Sequence, residues 1–269
     1  MLINMIAFPN CKINLGLNIV SKRSDGYHNL ESVFYPVSNV YDCLEIVPSP
    51  KFEFHSYGNE IPDLEQGNSC IKAFKLIQHE KDIPNVQIHL HKNIPTGAGL
   101  GGGSSDAVAT LVLLNEIFGL NYKKNKLLHL ADKIGSDCPF FVGNNPVFAR
   151  GKGELLKPVV ISLDDYYIKL INPKIHISTK NAFKSIIPKP TNYPIESCLK
   201  LPIEEWKEHL VNDFEESVFE DYPQLKEIKN KLYTLGASYA SMSGSGSTIY
   251  GIFEKDIDLK PHFEGMLIY

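Results

Sequence analysis

The run Pro95-Thr96-Gly97-Ala98-Gly99-Leu100-Gly101-Gly102-Gly103-Ser104-Ser105-Asp106 holds five glycines where neither a strand nor a helix calls for them. Glycine lets successive backbone N–H groups converge on one anion. The N-terminus of a helix adds unpaired N–H groups and a partial positive charge, worth about 0.3–1 kcal/mol per anionic group. A phosphate is the natural guest of such a loop. Ser104 and Ser105 would cap the following helix, or place a hydroxyl on a phosphate oxygen or on Mg2+. The competing explanation is a flexible linker, but linkers rarely run from a buried strand into a helix as apolar as the one that follows. The run is not Gly-x-x-x-x-Gly-Lys-Ser/Thr, because no lysine follows the glycines, nor the dinucleotide-binding Gly-x-Gly-x-x-Gly of a βαβ unit. A lysine acting on the phosphates must therefore come from elsewhere in the chain.

The elements that would position this loop can be read from periodicity. Val86, Ile88 and Leu90 alternate with Gln87, His89 and His91, a strand over Val86 to His91 with its histidines on the polar face. After the glycines, Ala107, Val108, Leu111, Val112, Leu114, Asn115 and Phe118 make an apolar helix with Gly119 placed to end it. A second helix is expected over Lys123 to Ile134, closed by Gly135, and Ser136-Asp137-Cys138-Pro139 reads as a tight turn. Near the N-terminus, Ile13, Leu15, Leu17 and Ile19 alternate with Asn14, Gly16 and Asn18 in a strand with one buried face and Lys12 at its start. Ser24-Asp25-Gly26 then supplies turn chemistry before a strand over Leu30 to Val37, with Tyr27 and His28 at the turn's exit. Past Gly151-Lys152-Gly153-Glu154 come a strand over Tyr166 to Ile171, loop and short helix over Pro173 to Pro202, and helical pattern from Pro202 to Leu235 interrupted at Pro223. Strands over Tyr239 to Met242 and Ser247 to Phe253 flank the loop Ser243 to Gly246. The mixture indicates an α+β protein of two domains, 1–155 and 156–269.

Composition narrows the class. At 269 residues, 43% hydrophobic and 22% charged, the chain is globular and can bury a sizeable core. A net charge of -4 with no basic stripe argues against nucleic acid as a partner. Cys11, Cys43, Cys70, Cys138 and Cys198 are scattered and read as reduced thiols, not a disulfide framework or a metal site. Asn4, Pro9, Asn10 and Lys12 break the N-terminal apolar run before a signal sequence or membrane span can form, which indicates a cytoplasmic protein with no membrane partner.

The loop residues Pro95, Gly99-Leu100-Gly101 and Ser104-Ser105 resemble the phosphate loop of the GHMP kinases, Pro-x-x-x-Gly-Leu-Gly-Ser/Gly-Ser-Ser. Pro9-Asn10-Cys11-Lys12-Ile13-Asn14-Leu15 and Ser243-Gly244-Ser245-Gly246-Ser247 agree, so the resemblance runs the length of the chain. Arg23-Ser24-Asp25-Gly26-Tyr27-His28 and Gly135-Ser136-Asp137-Cys138-Pro139-Phe140-Phe141 are similar to family members that act on a cytidine diphosphate acceptor. Mevalonate and homoserine kinases lack the Asp-Gly-Tyr-His segment.

The resemblance implies a two-domain fold with the active site in the interdomain cleft. It also implies phosphoryl transfer from ATP with Mg2+ to a hydroxyl of a small cytidine diphosphate substrate, by a monomer or weak homodimer. The rivals are a family kinase for mevalonate, homoserine or a sugar, and a ligand sensor on the same fold without catalysis. By resemblance, residues 95–105 cradle ATP, Asp137 faces the acceptor hydroxyl and Lys12 lies beside it. A carboxylate there accepts the hydroxyl proton, and a lysine within about 4–6 Å keeps it ionised and offsets charge on the moving phosphoryl group. Taken alone, an Asp placed as Asp137 is, before Cys138-Pro139, is more often a helix N-cap, and a Lys at a strand edge, as Lys12 is, more often solvated. Tyr27, His28 and Phe183 are implied as the cytosine site, where stacking on an aromatic ring is worth about 1–3 kcal/mol. Phe183 also fits a packing anchor, and Tyr27 a hairpin aromatic covering the core. Asn14 is a further candidate for the substrate. Gly244 and Ser245 either approach the substrate or form a plain hairpin turn. For the metal, Ser105 is a weak candidate and Asp106 another.

Overall fold

The computed structural model describes residues 5–62, 67–190 and 193–269. Asn4, and residues 191 and 192 of the proline-bearing stretch, lie outside the described residues. The strands are β1 (Met5–Ala7), β2 (Asn10–Lys22), β3 (His28–Tyr41), β4 (Cys43–Pro48), β5 (Glu53–Gly58), β6 (Val86–Lys92), β7 (Val147–Gly151), β8 (Leu155–Pro158), β9 (Tyr167–Asn172), β10 (Tyr239–Met242), β11 (Ile249–Phe253) and β12 (Leu267–Ile268). The α-helices are α1 (Ser69–Glu80), α2 (Gly102–Ile117), α3 (Lys124–Ile134), α4 (Cys138–Gly143), α5 (Thr179–Lys184), α6 (Ile195–Cys198), α7 (Trp206–His209), α8 (Phe214–Asp221) and α9 (Pro223–Thr234).

The chain divides into two compact units, each assembled from separated stretches. The first comprises Met1–Cys11, Pro36–Thr96 and Gly101–Asn145; the second comprises Lys12–Tyr35, Gly97–Leu100 and Pro146–Tyr269. In the first unit a sheet of order β1-β4-β6-β5 is antiparallel except for the parallel β5–β6 pair. Helix α2 packs on α1, α3 and α4 and against β1 and β4. Val86, Ile88 and Leu90 of β6 are buried, while Gln87, His89 and His91 face outward as their alternation required. Asn68 starts α1 by accepting the N–H groups of Cys70 and Ile71 at 2.8 and 3.3 Å.

The second unit contains the antiparallel sheet β10-β11-β9-β12 and, in the sheet β2-β3-β7-β8, the part of β3 that pairs with β7. Its core gathers Leu17, Ile19, Ile171, Phe214, Leu225, Ile228, Met242, Ile249 and Phe253. Pro223 begins α9 instead of interrupting a longer helix, because its missing N–H costs nothing in a first turn. Likewise Pro139 lies in the first turn of α4, so Ser136-Asp137-Cys138-Pro139 leads into a helix and is not an isolated turn.

Two readings of β2 change. Every residue from Asn10 to Ile19 is buried, so the strand has two covered faces instead of one. Lys12 is 3% exposed and is no solvated edge residue. A polar face can be covered in this way only when its groups find partners within the protein.

Candidate active site

The glycine run turns into α2 earlier than periodicity indicated. Gly101 occupies the N-cap position in the left-handed region, with φ 69°, and the helix begins at Gly102. Ser104 and Ser105 therefore sit inside the first turn and cap nothing; the left-handed glycine takes over the cap position. Ser105 is buried and donates its N–H to the Gly101 carbonyl at 3.0 Å. Ahead of the turn, Pro95 is half-buried and the Thr96 hydroxyl donates to the Glu60 carbonyl at 3.3 Å.

Within the second unit, the stretch Ala98–Leu100 uses its carbonyls on protein donors. Ala98 accepts the Thr248 N–H at 3.3 Å and Leu100 the Lys12 N–H at 2.9 Å. The Gly99 carbonyl accepts the Ser243 hydroxyl at 2.9 Å and the Lys12 ammonium at 3.3 Å. Among the described residues, none accepts from the N–H groups of Gly97, Ala98, Gly99 or Leu100. Carbonyls tied down on one side, with amides left over, is what an anion cradle requires.

Lys12 and Asn14 meet this stretch from β2. The Lys12 ammonium donates to Asn14 Oδ1 at 2.5 Å and lies 4.9 Å from the centre of the Phe34 ring. Asn14 Nδ2 donates to the Ser32 hydroxyl at 2.8 Å, which passes a bond to the Gly16 carbonyl at 2.6 Å. Asn14 is thus held in one orientation, not solvated. The Ser243–Gly246 segment joins β10 to β11, with Ser243 N–H on the Thr248 carbonyl at 2.9 Å, so the hairpin reading holds. It also presses on the loop: a side chain on Gly244 would meet Gly99 Cα at 3.2 Å and Asn14 Oδ1 at 3.6 Å. Ser245 pairs its hydroxyl with that of Thr179 at 3.1 Å.

Asn212, missed in the sequence, holds this turn in place. Buried at 3% exposure, it donates through Nδ2 to the carbonyls of Met242 and Gly244, at 2.7 and 2.8 Å. Ser32 was missed too. Both act through partners far away in the chain, and no local pattern marks them.

In the first unit, Asp137 occupies the N-cap position of α4 with φ -83° and ψ -15°, yet its carboxylate makes no capping bond. The N-cap reading describes its place but not its side chain. Next to it, burial pushes the Cys138 thiol up to about 11, with Ser104 hydrogen bonding in opposition. Asp106 is buried: its Oδ2 accepts the Lys92 ammonium at 2.8 Å, and its Oδ1 has no hydrogen-bond partner among the described residues.

In the second unit, Arg23 to Tyr27 close a tight turn, with Arg23 N–H on the Tyr27 carbonyl at 2.8 Å and Tyr27 N–H on Asp25 Oδ1 at 3.1 Å. Tyr27 is 60% exposed, with Lys152 Nζ 5.0 Å from its ring centre. His28 and Phe183 stack on each other, centroids 4.9 Å apart at 12°, and Phe183 meets Phe214 edge-on at 4.8 Å. The imidazole of His28, not only its backbone, belongs to this cluster; burial and the neighbouring Lys22 push its pKa down. Phe183 serves as a packing anchor against the core, and Lys152, like Asn212 and Ser32, is a residue that sequence reasoning passed over.

None of the five cysteines forms a disulfide. Among the described residues no helix is long and apolar enough to cross a membrane, and no three His, Cys, Asp or Glu side chains group to hold a metal.

Comparison with known proteins places the chain. The GHMP kinases N terminal domain matches residues 68–145, and the GHMP kinases C terminal domain matches residues 195–260. The chain belongs to the GHMP kinases. A 4-diphosphocytidyl-2-C-methyl-D-erythritol kinase of Bacteroides thetaiotaomicron is 52% identical over 94% of this GHMP kinase and 93% of its own length. The enzyme of the same name from Cytophaga hutchinsonii is 48% identical over 93% and 92%. A crystal structure of 4-(cytidine 5'-diphospho)-2C-methyl-D-erythritol kinase superposes with a TM-score of 0.79 at 32% identity, covering 92% of this chain and 90% of that one. The mevalonate kinase of Methanococcus jannaschii shares the fold, with a TM-score of 0.69 at 12% identity over 99% and 97%.

Proposed function

We propose that this GHMP kinase transfers the γ-phosphoryl group of ATP to the 2-hydroxyl of 4-diphosphocytidyl-2-C-methyl-D-erythritol, a step of isoprenoid synthesis that does not pass through mevalonate. The observation that carries the nucleotide half is the stretch Gly97–Leu100, where the carbonyls of Ala98, Gly99 and Leu100 are spent on protein donors while the amides are not. The names of relatives 44–52% identical over nearly the whole chain support the acceptor half. In this reading segment 1–155 carries the nucleotide loop, and the two matched family domains fall on either side of residue 155.

Phosphoryl transfer passes through a loose transition state, so the protein's work is positioning and charge compensation. The amides of residues 96–104 hold the phosphate tail, that of Ser105 being spent on the Gly101 carbonyl. Lys12, fixed by Asn14 and the Gly99 carbonyl, supplies positive charge beside the acceptor. Asp137 accepts the proton of the attacking hydroxyl, its carboxylate uncommitted to capping α4. Tyr27 and Phe183 offer ring faces to the cytosine, with Lys152 and His28 at hand; for Phe183 the base must displace the stacked His28 ring. The residues present do not make a resident Mg2+ site. The Asp106 carboxylate and its neighbour Asp42 are both bonded to Lys92, Ser105 is buried, and among the described residues no three His, Cys, Asp or Glu side chains group to hold a metal. The ion would arrive with ATP, held by phosphate oxygens and water, and no step is derived through it. The scattered spacing of the cysteines, with no C-x-x-C pair, supports a cytoplasmic enzyme.

The test is ATP consumption with the cytidine diphosphate acceptor, compared with mevalonate, homoserine and a simple sugar. Turnover is expected only with the first. Comparable turnover with another acceptor would overturn the assignment, and none with any would return the sensor reading.

A further inference from the structure

Behind the glycine run, in the first unit, lies an ionic cluster with no counterpart in the mechanism above. Asp42, Lys92 and Asp106 are 0%, 3% and 2% exposed. Lys92 Nζ binds Asp42 Oδ2 on one side and Asp106 Oδ2 at 2.8 Å on the other. The remaining Asp42 oxygen accepts the N–H groups of Asn93 and Ile94, at 2.6 and 2.8 Å. Those are the last residues before Pro95, where the chain enters the run. Asp106 stands in the second turn of α2, where the chain leaves it. Gly102 fits between them: a side chain there would meet Ile94 Cγ2 at 2.8 Å and Lys92 Nζ at 2.9 Å. One lysine thus ties the entrance of the loop to its exit.

We propose that Lys92, gripped by Asp42 and Asp106, is a positioning residue that sets the spacing between the two ends of the glycine loop and so the aim of its amides at the nucleotide phosphates. The inference rests on the nucleotide reading of the loop given above. A buried ion cluster is a poor source of stability, since hydrophobic replacements of equal volume do as well; its use lies in fixing one geometry. Here that geometry is the one on which affinity for the triphosphate depends, because small displacements of positioning groups cost large factors in rate and binding.

The variants are Asp106→Leu, which keeps the branched shape but cannot accept a bond, Asp106→Ala, and Asp106→Asn, which keeps the size and an oxygen for Lys92. The readouts are Mg-ATP binding by calorimetry, KM for ATP and for the acceptor, kcat, and Tm. The leucine and alanine variants are expected to weaken ATP binding and raise its KM by about tenfold to a hundredfold, the range for losing a charged hydrogen bond and the alignment it sets. Acceptor KM should stay within about threefold, and asparagine should restore ATP KM to within about threefold of the parent. If the parent chain does not bind Mg-ATP, the loop reading itself fails. If the parent binds it and the leucine or alanine variant, folded, binds equally well, the clamp is wrong and the loop reading stands. The clamp is equally wrong if ATP and acceptor KM rise together, if asparagine does not rescue, or if leucine and alanine both fail to fold while asparagine folds; in that last case the cluster serves stability alone.

Discussion

Replacing Gly99 by alanine should damage the loop far more than its size suggests. Gly99 has φ +78°, which costs an alanine about 1–2 kcal/mol. The added Cβ would also stand 1.9 Å from the Ser243 carbonyl oxygen, 2.9 Å from its carbon and 3.2 Å from the Gly246 oxygen. Non-bonded contacts of that kind are not tolerated, so backbone must move by roughly 1 Å, an overpacking cost of about 1–3 kcal/mol. The movement takes the Gly99 carbonyl away from the Ser243 hydroxyl at 2.9 Å and the Lys12 ammonium at 3.3 Å. Losing those bonds adds about 0.5–1.5 kcal/mol for the neutral one and more for the charged one. Together the loss is about 4–9 kcal/mol, or an equivalent distortion of the loop. Gly236→Ala is the control: its φ is +95° but nothing lies within 4 Å of the added carbon, so only the backbone cost of about 1–2 kcal/mol applies. Thermal unfolding should show a Gly99→Ala shift at least twice that of Gly236→Ala, and ATP consumption should collapse for the first and persist for the second. Equal Tm shifts with unchanged ATP KM would refute the packing of the loop on the Ser243–Gly246 turn.

Asp137→Asn should abolish turnover while Mg-ATP binding stays within a few-fold; normal turnover would remove it as the proton acceptor. Tyr27→Ala should weaken acceptor binding about 5–150-fold through loss of stacking, leaving ATP affinity alone, and a change confined to ATP would sink the cytosine assignment. Burial, helped by Asp42 and opposed by Lys92, pushes the Asp106 carboxyl up to about 7. With the folded value above the unfolded 3.8, the native state binds the extra proton. This contribution to stability is full below about pH 4 and lost as pH rises through about 7, by on the order of a few kcal/mol at most. Asp106→Asn should remove that dependence, so urea unfolding at pH 5 and pH 7.5 should show the variant gaining on the parent at the higher pH; parallel curves would contradict the shift.

Much of this protein is written locally. The glycines from Gly97 to Gly103, the alternation in β2 and β6, the apolar helix after the loop and the Gly135 stop depend on neighbours within a few residues, and periodicity and turn chemistry expose them. Short elements escaped, among them β4, β5 and β7, because strands of five or six residues carry little periodic signal and their pairing is long-range; the 12-residue helix α1 escaped although its Asn68 cap and buried Ile71, Phe74 and Ile77 are local signals. Sequence named Lys12 and Asn14, but only tertiary contacts bury them and bring them to Gly99 and Gly244. The same holds for Asn212 reaching Met242 and Gly244 some 30 residues away, and for His28 taking the face of Phe183. Asp42, Lys92 and Asp106 meet across separations of 50 and 14 residues. The identity of a loop is a matter of local backbone freedom. Which charges end up buried together is decided by how distant segments satisfy one another once water is excluded.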